Sequence, residues 1–469
     1  MIRGQARNDG CQISLKLDFK CKREIGLRSN HINGSHDPVP LNYETDELIF
    51  SRDLSYNSKN FEVWRLNLKD PNRFTIGINY VPPKTGVYLW RMFEAADLKR
   101  DFSLLAEYGF EAARIFLMWE DFQPEIHTVS VRVLDRLVQV ANAAHDQRLQ
   151  ILPTFFCGHL SGLNWAPEWL VESGKNRGGI PVHAGGKIIP NRLRNMFADR
   201  EVRNAQKRLL HEIVNALKGH PAIWGWDLGN EITRFAPAPS NDRVRAWFEE
   251  MRNELKRWDA HLPVTVGIRP GDLEDPSALF LKEAAPFCDL LSLQALPPFP
   301  QGADSSSDPG FPVFLCLLTN WLSGKETILG SYGLPIQPPP GTLNESDRAR
   351  IRNIRLSTEG EAEDFHRRAL RLLGKCGIAA AFVSSFADID STLWEKPPYK
   401  ERVSERFYGL FRWNGEPKPA AKLFSESSRR RTPGEPDGTW IDMDPKGYAE
   451  NPPRNLKHLY GKFRDWAGE

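Results

Sequence analysis

From about residue 74 onward, short apolar runs alternate with longer stretches of helical periodicity. No other feature limits the possible folds so strongly. The runs fall at 74–79, 112–117, 149–155, 223–228, 264–268, 290–294, 327–331 and 379–386, and each reads as a buried strand. Between them, 97–108, 131–144, 202–217, 242–257 and 362–373 carry apolar residues at helical spacing, as in DLKRDFSLLAEY with Leu98, Phe102, Leu105 and Ala106. Strands joined through helices run parallel, parallel sheets need both faces covered, and eight such units close on themselves. The expected fold class is therefore α/β, a (β/α)8 TIM barrel.

Three segments are expected: a polar N-terminal extension over 1–72, the barrel over 73–424, and a tail over 425–469. The extension shows two weak strand patterns, at 47–51 and 61–68. The tail begins polar and basic, with RRR at 429–431, but Tyr448, Tyr460, Phe463 and Trp466 predict that its end packs on the body. Long connections follow the third strand (156–205) and the seventh (332–359, with PPPG at 338–341), and a Ser-rich stretch at 303–310 follows the sixth. In a barrel these loops line the mouth, where the chemistry takes place.

Composition removes several alternatives. Among 469 residues, 62 Lys and Arg face 60 Asp and Glu, a net charge of +2 that makes no electrostatic case for nucleic acid or acidic membranes. No run approaches the ~18 apolar residues of a spanning helix, and the first residues lack the apolar core of a secretory signal, so the default location is cytoplasmic. Six scattered cysteines form no CxxC pair, and neither HExxH nor a glycine-rich phosphate loop occurs. No metal and no cofactor is expected.

The segment with most chemistry is Trp224-Gly-Trp-Asp-Leu-Gly-Asn-Glu231. A carboxyl group ending a barrel strand faces the mouth, and breaking a glycosidic bond requires such an acid to protonate the leaving oxygen. On its own, an Asn-Glu pair reads more readily as a helix N-cap with an acid in the first turn; the strand context is what favours the chemical reading.

The segment resembles the acid/base strand of the retaining (β/α)8 glycoside hydrolases, the superfamily of cellulases, β-mannanases and β-galactosidases. Further segments agree. GINY (77–80) resembles the first strand, ARIFLMWEDFQPE (113–125) the second, and GHPAIWGWDLGNE (219–231) the fourth. ILPTFFCGHLSGLNWAPEWL (151–170) is similar to the third strand and loop of cellulase and endo-β-mannosidase-like family 5 members, and SFADIDSTLW, ending at Trp394, to an eighth strand. The resemblance implies Glu231 as general acid/base, Asn230 as partner of the sugar 2-hydroxyl, and Arg114 as the residue that orients a second carboxylate. It implies that His159, Trp119, Trp165 and Trp394 line the sugar, the indoles stacking on it. Core packing is the alternative for each tryptophan, including Trp90 and Trp169, and a structural ion pair is the alternative for Arg114. The implied partner is an oligo- or polysaccharide of the β-linked mannan or cellulose type; the oligomeric state stays open.

Two positions depart from the family. The seventh strand should end in a nucleophilic glutamate, and Ser331 stands there instead. The sixth strand carries Gln294 where relatives have a His or Tyr nearby. A serine hydroxyl without a base supplies neither a nucleophile nor a negative charge. Either the chain is a sugar-binding pseudoenzyme or another carboxylate serves; the candidates are Asp388, Asp390, Glu395 and Glu120.

Overall fold

In the computed structural model, the residues described are 74–468 except 173–179, 191, 238, 275–278, 300–302, 304, 306, 353 and 427–437. The N-terminal extension with its two expected strands and the basic run at 429–431 lie outside them.

The strands β1 (Thr75–Asn79), β2 (Ala112–Met118) and β3 (Gln150–Cys157) open the barrel. A small sheet follows in the third loop: β4 (His159–Leu160), β5 (Leu163–Trp165), β6 (Val182–Ala184) and β7 (Lys187–Ile189). The barrel resumes with β8 (Trp226–Asp227), β9 (Val264–Thr265), β10 (Gly267–Ile268), β11 (Leu291–Ala295), β12 (Thr327–Tyr332) and β13 (Ala380–Val383). Their order is β10-β11-β12-β13-β1-β2-β3-β8-β9, every pair parallel. β9 and β10 are two halves of one stave, separated only by Val266. β9 pairs with β8, and β10 pairs with β11, so the nine segments form a closed ring of eight staves. Each of the eight expected runs supplies one stave. The long third loop thus carries short strands, which satisfy backbone groups that a long buried loop would otherwise leave unpaired.

Alternate residues of a strand face the barrel interior. At one level these include Ala112, Leu152, Ile328, Ala380 and Phe382, an apolar cluster of strand residues together with Trp224. Gly77 leaves room for Phe382: a Cβ there would meet the ring at 2.4 Å. Two residues further along β2, β3 and β11 the interior turns polar, with Arg114, Thr154 and Ser292 all buried. The candidate site stands on that change.

The expected helices form the outer ring, as Ala95–Glu107, Val131–Asp146, Arg200–Leu217, Asn241–Trp258 and Glu359–Lys375. Their starts follow capping chemistry. Asp199 accepts from the Glu201 and Val202 amides, and Thr358 forms a reciprocal box with Glu361. A sixth long helix, Gly310–Ser323, was not expected, because FLCLLTNWL is apolar on all sides and gives no helical stripe. The tail supplies the reason. Its last helix, Pro452–Ala467, covers the outer face that other barrel helices leave to solvent. Tyr460 meets Phe311 edge-on at 4.8 Å, and Phe314 packs on Phe463 and Trp440 at 5.7 and 5.6 Å. The expectation that the tail's end packs on the body holds.

Truncating Phe463, which is fully buried in this contact, to alanine is expected to cost about 3–5 kcal/mol of unfolding free energy. Chemical denaturation measures it; a cost under about 1 kcal/mol, the scale of a surface substitution, would show that the tail is not part of the core.

Candidate active site

The polar layer of the barrel centres on Arg114, which has no exposed surface. Its Nε and Nη2 both donate to Asp227 Oδ2, at 2.9 and 2.6 Å, and its Nη1 donates to Asn230 Oδ1 and Gln294 Oε1 at 3.0 and 2.8 Å. Thr154 Oγ1 adds a third donor to Asp227 Oδ2 at 2.9 Å. Arg114 therefore does not orient a carboxylate on the seventh strand; its acid is Asp227. The structural ion pair, given above as the alternative for Arg114, is the one formed. A buried guanidinium needs an adjacent anion and filled hydrogen-bond positions, and a lone aspartate in the apolar fourth-strand segment was the signal for it.

Gln294 is absorbed in the same network. Its Nε2 donates to Ser292 Oγ at 3.1 Å while its Oε1 holds Arg114, so it braces the arginine from inside the barrel. Asn230 is buried, with its Nδ2 donating to His159 O at 2.9 Å and its Oδ1 accepting from Arg114. His159 donates from Nδ1 to Asn164 Oδ1 at 2.7 Å, and burial lowers its pKa to about 4, so the ring is neutral.

Beyond Asn230 the backbone leaves the strand sharply. Glu231 sits in the left-handed region at φ 46°, ψ 48°, which costs a non-glycine residue about 1–2 kcal/mol. Such strain gathers where a side chain must be aimed. The Glu231 side chain keeps 20% of its surface open, and its Oε2 lies 2.9 Å from Arg234 Nε. Burial pushes its carboxyl above the usual range, while Arg234, Arg269 and Arg114 pull the other way.

At the end of the seventh strand, Ser331 is buried, its Oγ 2.7 Å from Ser384 Oγ. Asn79 Nδ2 points at Gly330 O, Ser331 Oγ and Ser384 Oγ, at 3.0, 3.3 and 3.0 Å. Asn79 Oδ1 is left without a partner. Three neutral side chains thus meet where strands one, seven and eight end. Asn79 and Ser384 were not singled out in the sequence because neither is reactive alone.

The aromatic expectations divide. Trp119 is wholly buried among Phe156, Trp169 and Phe235, with its indole N–H on Gln123. Trp165 is 1% exposed, wedged against Tyr88 and His183. Neither presents a face to a sugar in this conformation, so core packing holds for both. Trp394 is partly open, but the Arg406 guanidinium lies 4.8 Å over its ring and Phe407 meets its edge.

The four candidate substitute carboxylates are all engaged elsewhere. Asp388 pairs with buried Lys418 at 2.7 Å, Asp390 caps the Thr392 amide at 2.8 Å, Glu395 pairs with Lys400 at 3.0 Å, and Glu120 pairs with Arg91 at 2.5 Å. Another acid, Glu405, was not singled out in the sequence. It lies in the turn Val403–Arg406 and hydrogen-bonds Ser161; burial pushes its carboxyl up, Ser161 and Arg402 pull it down, and the Glu231 charge adds a smaller upward push. Among the described residues no cluster of metal-ligating side chains occurs, and no helix is long and apolar enough to cross a membrane.

Asp227→Ala leaves the Arg114 cation buried without its anion and is expected to cost about 3–5 kcal/mol in denaturant unfolding; a loss under about 1 kcal/mol would mean that water replaces the carboxylate. For Glu231 the folded-state pKa lies above the unfolded value of about 4.3, so ionising it on a rise in pH costs stability. Glu231→Gln is expected to raise Tm at pH 7, with the gain shrinking as pH falls towards 4; a lowered Tm at pH 7 would show that the Arg234 pair outweighs burial.

No protein-family model and no curated protein sequence matches the chain. Solved structures do. A GH5_18 protein from Streptomyces cattleya, in a glutamate-to-alanine variant bound to Manβ1-4GlcNAc, aligns at 19% identity over 84% of this chain and 92% of that one, with a TM-score of 0.66. A GH5_18 protein from Bifidobacterium longum subsp. infantis aligns at 21% identity over 77% and 80%, with a TM-score of 0.62. The exo-β-1,4-mannosidase Op5Man5 from Opitutaceae bacterium strain TAV5 aligns at 19% over 76% and 59%, with a TM-score of 0.61. The chain has the parallel (β/α)8 barrel on which these glycoside hydrolases are built.

Proposed function

We propose that the barrel mouth binds a β-linked manno-oligosaccharide and that Glu231 donates the proton for cleaving its glycosidic bond. The observation that carries this reading is the setting of Glu231. It stands past the end of the fourth strand on strained backbone, mostly buried but partly open to solvent, with its carboxyl raised by that burial. A raised carboxyl holds a proton nearer neutral pH and is suited to giving it up. Beside it, Asn230 Nδ2 carries a second proton besides the one given to His159 O, and in this reading it goes to a sugar hydroxyl. The sugar class follows the solved structures of this fold, one of which holds Manβ1-4GlcNAc.

Ser331 takes no covalent part in this reading. Its hydroxyl is shared with Ser384 and Asn79, and neither is a base. One observation favours a second reading, sugar binding without turnover: the Arg234 guanidinium at 2.9 Å favours the ionised form of Glu231, which cannot donate.

Titration calorimetry with mannosyl-β-1,4-N-acetylglucosamine and hydrolysis of 4-nitrophenyl β-D-mannopyranoside separate the readings. The expected result is binding by both wild type and Glu231→Gln, with turnover at least ~100-fold slower in the variant. Binding without wild-type turnover favours the second reading. Absence of binding overturns both.

A further inference from the structure

Three arginines gather near Glu231 with most of their donors unspent. Arg234 Nε lies 2.9 Å from Glu231 Oε2. Arg269, just past the end of β10, donates from Nε to Thr233 Oγ1 at 3.1 Å and to Asp272 Oδ1 at 2.9 Å. Arg402, the residue before the turn Val403–Arg406, donates from Nη2 to Gly162 O at 3.4 Å. A guanidinium has five N–H donors, and among the described residues each of these three spends one of them on the protein. Arg234 and Arg269 keep 44% and 31% of their side-chain surface open, and Arg402 is exposed. Arg114, wholly buried, has bonds on all three of its nitrogens.

The three come from separate elements but share one neighbourhood, tied together by the β4–β5 hairpin and the short helix Ile232–Phe235. Arg269 reaches Thr233, the residue before Arg234. Asn164 of the hairpin donates from Nδ2 to Arg234 O at 3.4 Å, and Gly162 at its tip takes Arg402. Gly162 holds φ 72°, and a Cβ on it would meet Arg402 Nε at 2.9 Å, so the tip is shaped to admit the guanidinium. At the base of the hairpin, the positive charge of all three arginines disfavours protonation of His159. The acids beside them are Glu231, Asp272 and Glu405. While Glu231 carries the proton it donates, three cations meet two anions, at partly buried positions where charges act more strongly than in bulk water. An anion arriving with the ligand restores the balance.

We propose that the β-linked manno-oligosaccharide bound at the mouth is an acidic one, carrying C6 carboxylates as mannuronate does, and that Arg234, Arg269 and Arg402 receive those carboxylates. The proposal rests on reading the mouth as a β-mannoside site, and it names the substrate class of that same site. The planar fork of a guanidinium matches a carboxylate with two parallel hydrogen bonds, whereas a neutral mannan offers it hydroxyls alone. A β-1,4-mannan oxidised at C6 sets one carboxylate on each sugar ring, a spaced row of anions that suits cations held on separate elements.

Titration calorimetry with β-1,4-mannobiose and β-1,4-dimannuronate tests it, since the two share linkage and ring configuration and differ in the carboxylates. The expected result is at least ~10-fold tighter binding of the dimannuronate at about 0.01 M salt, the scale of one charge-assisted hydrogen bond, with the ratio shrinking at about 1 M salt, where exposed charges are screened. Arg269→Gln and Arg402→Gln are each expected to cut the ratio several-fold. Arg402 is exposed, so its variant decides the matter even if loss of the Asp272 pair unfolds the other. Equal affinity for the two disaccharides, or a ratio unchanged in the Arg402 variant, overturns the proposal and leaves the mannoside reading standing. Equally tight binding of α-linked digalacturonate also overturns it, because charge without the manno configuration would then suffice. Absence of binding by all three disaccharides removes the reading on which the proposal rests.

Discussion

The buried pair of Arg114 and Asp227 is the interaction on which the rest of the site depends. Two nitrogens of the guanidinium take one carboxylate oxygen, and the third reaches Asn230 and Gln294. A charge with no exposed surface is tolerated only when such partners surround it. The arrangement ties the second, fourth and sixth strands together at the level where the interior turns from apolar to polar. It also sets the position of Asn230, the residue before Glu231. The backbone then leaves the strand through a left-handed residue, Glu231 itself, whose side chain stays partly open and pairs with Arg234.

Across the barrel the charge pattern differs from that of the retaining hydrolases the sequence resembles. The ends of strands one, seven and eight carry Asn79, Ser331 and Ser384, all neutral and bonded to one another.

Much of the barrel was legible in the sequence, because parallel strands buried on both faces read as short apolar runs and their crossover helices read as amphipathic stripes. The helix Gly310–Ser323 escaped notice because it is apolar all round, and only the covering helix Pro452–Ala467 explains that. In the site, Glu231 and Asn230 were legible from one contiguous segment. The partner of Arg114 was not assigned, since 113 positions separate it from Asp227. Trp119 and Trp165 had two readings in the sequence, sugar platform and core, and burial is what puts both in the core here.

The central claim is that the acid at position 231 meets the glycosidic oxygen of a bound mannoside. A crystal structure of the Glu231→Gln protein soaked with mannosyl-β-1,4-N-acetylglucosamine tests it directly. The account predicts the linking oxygen within about 2.6–3.2 Å of the residue 231 side chain, with the mannose lying between the fourth and eighth strands. A disaccharide bound elsewhere on the molecule, or with its linkage turned away from residue 231, would contradict it.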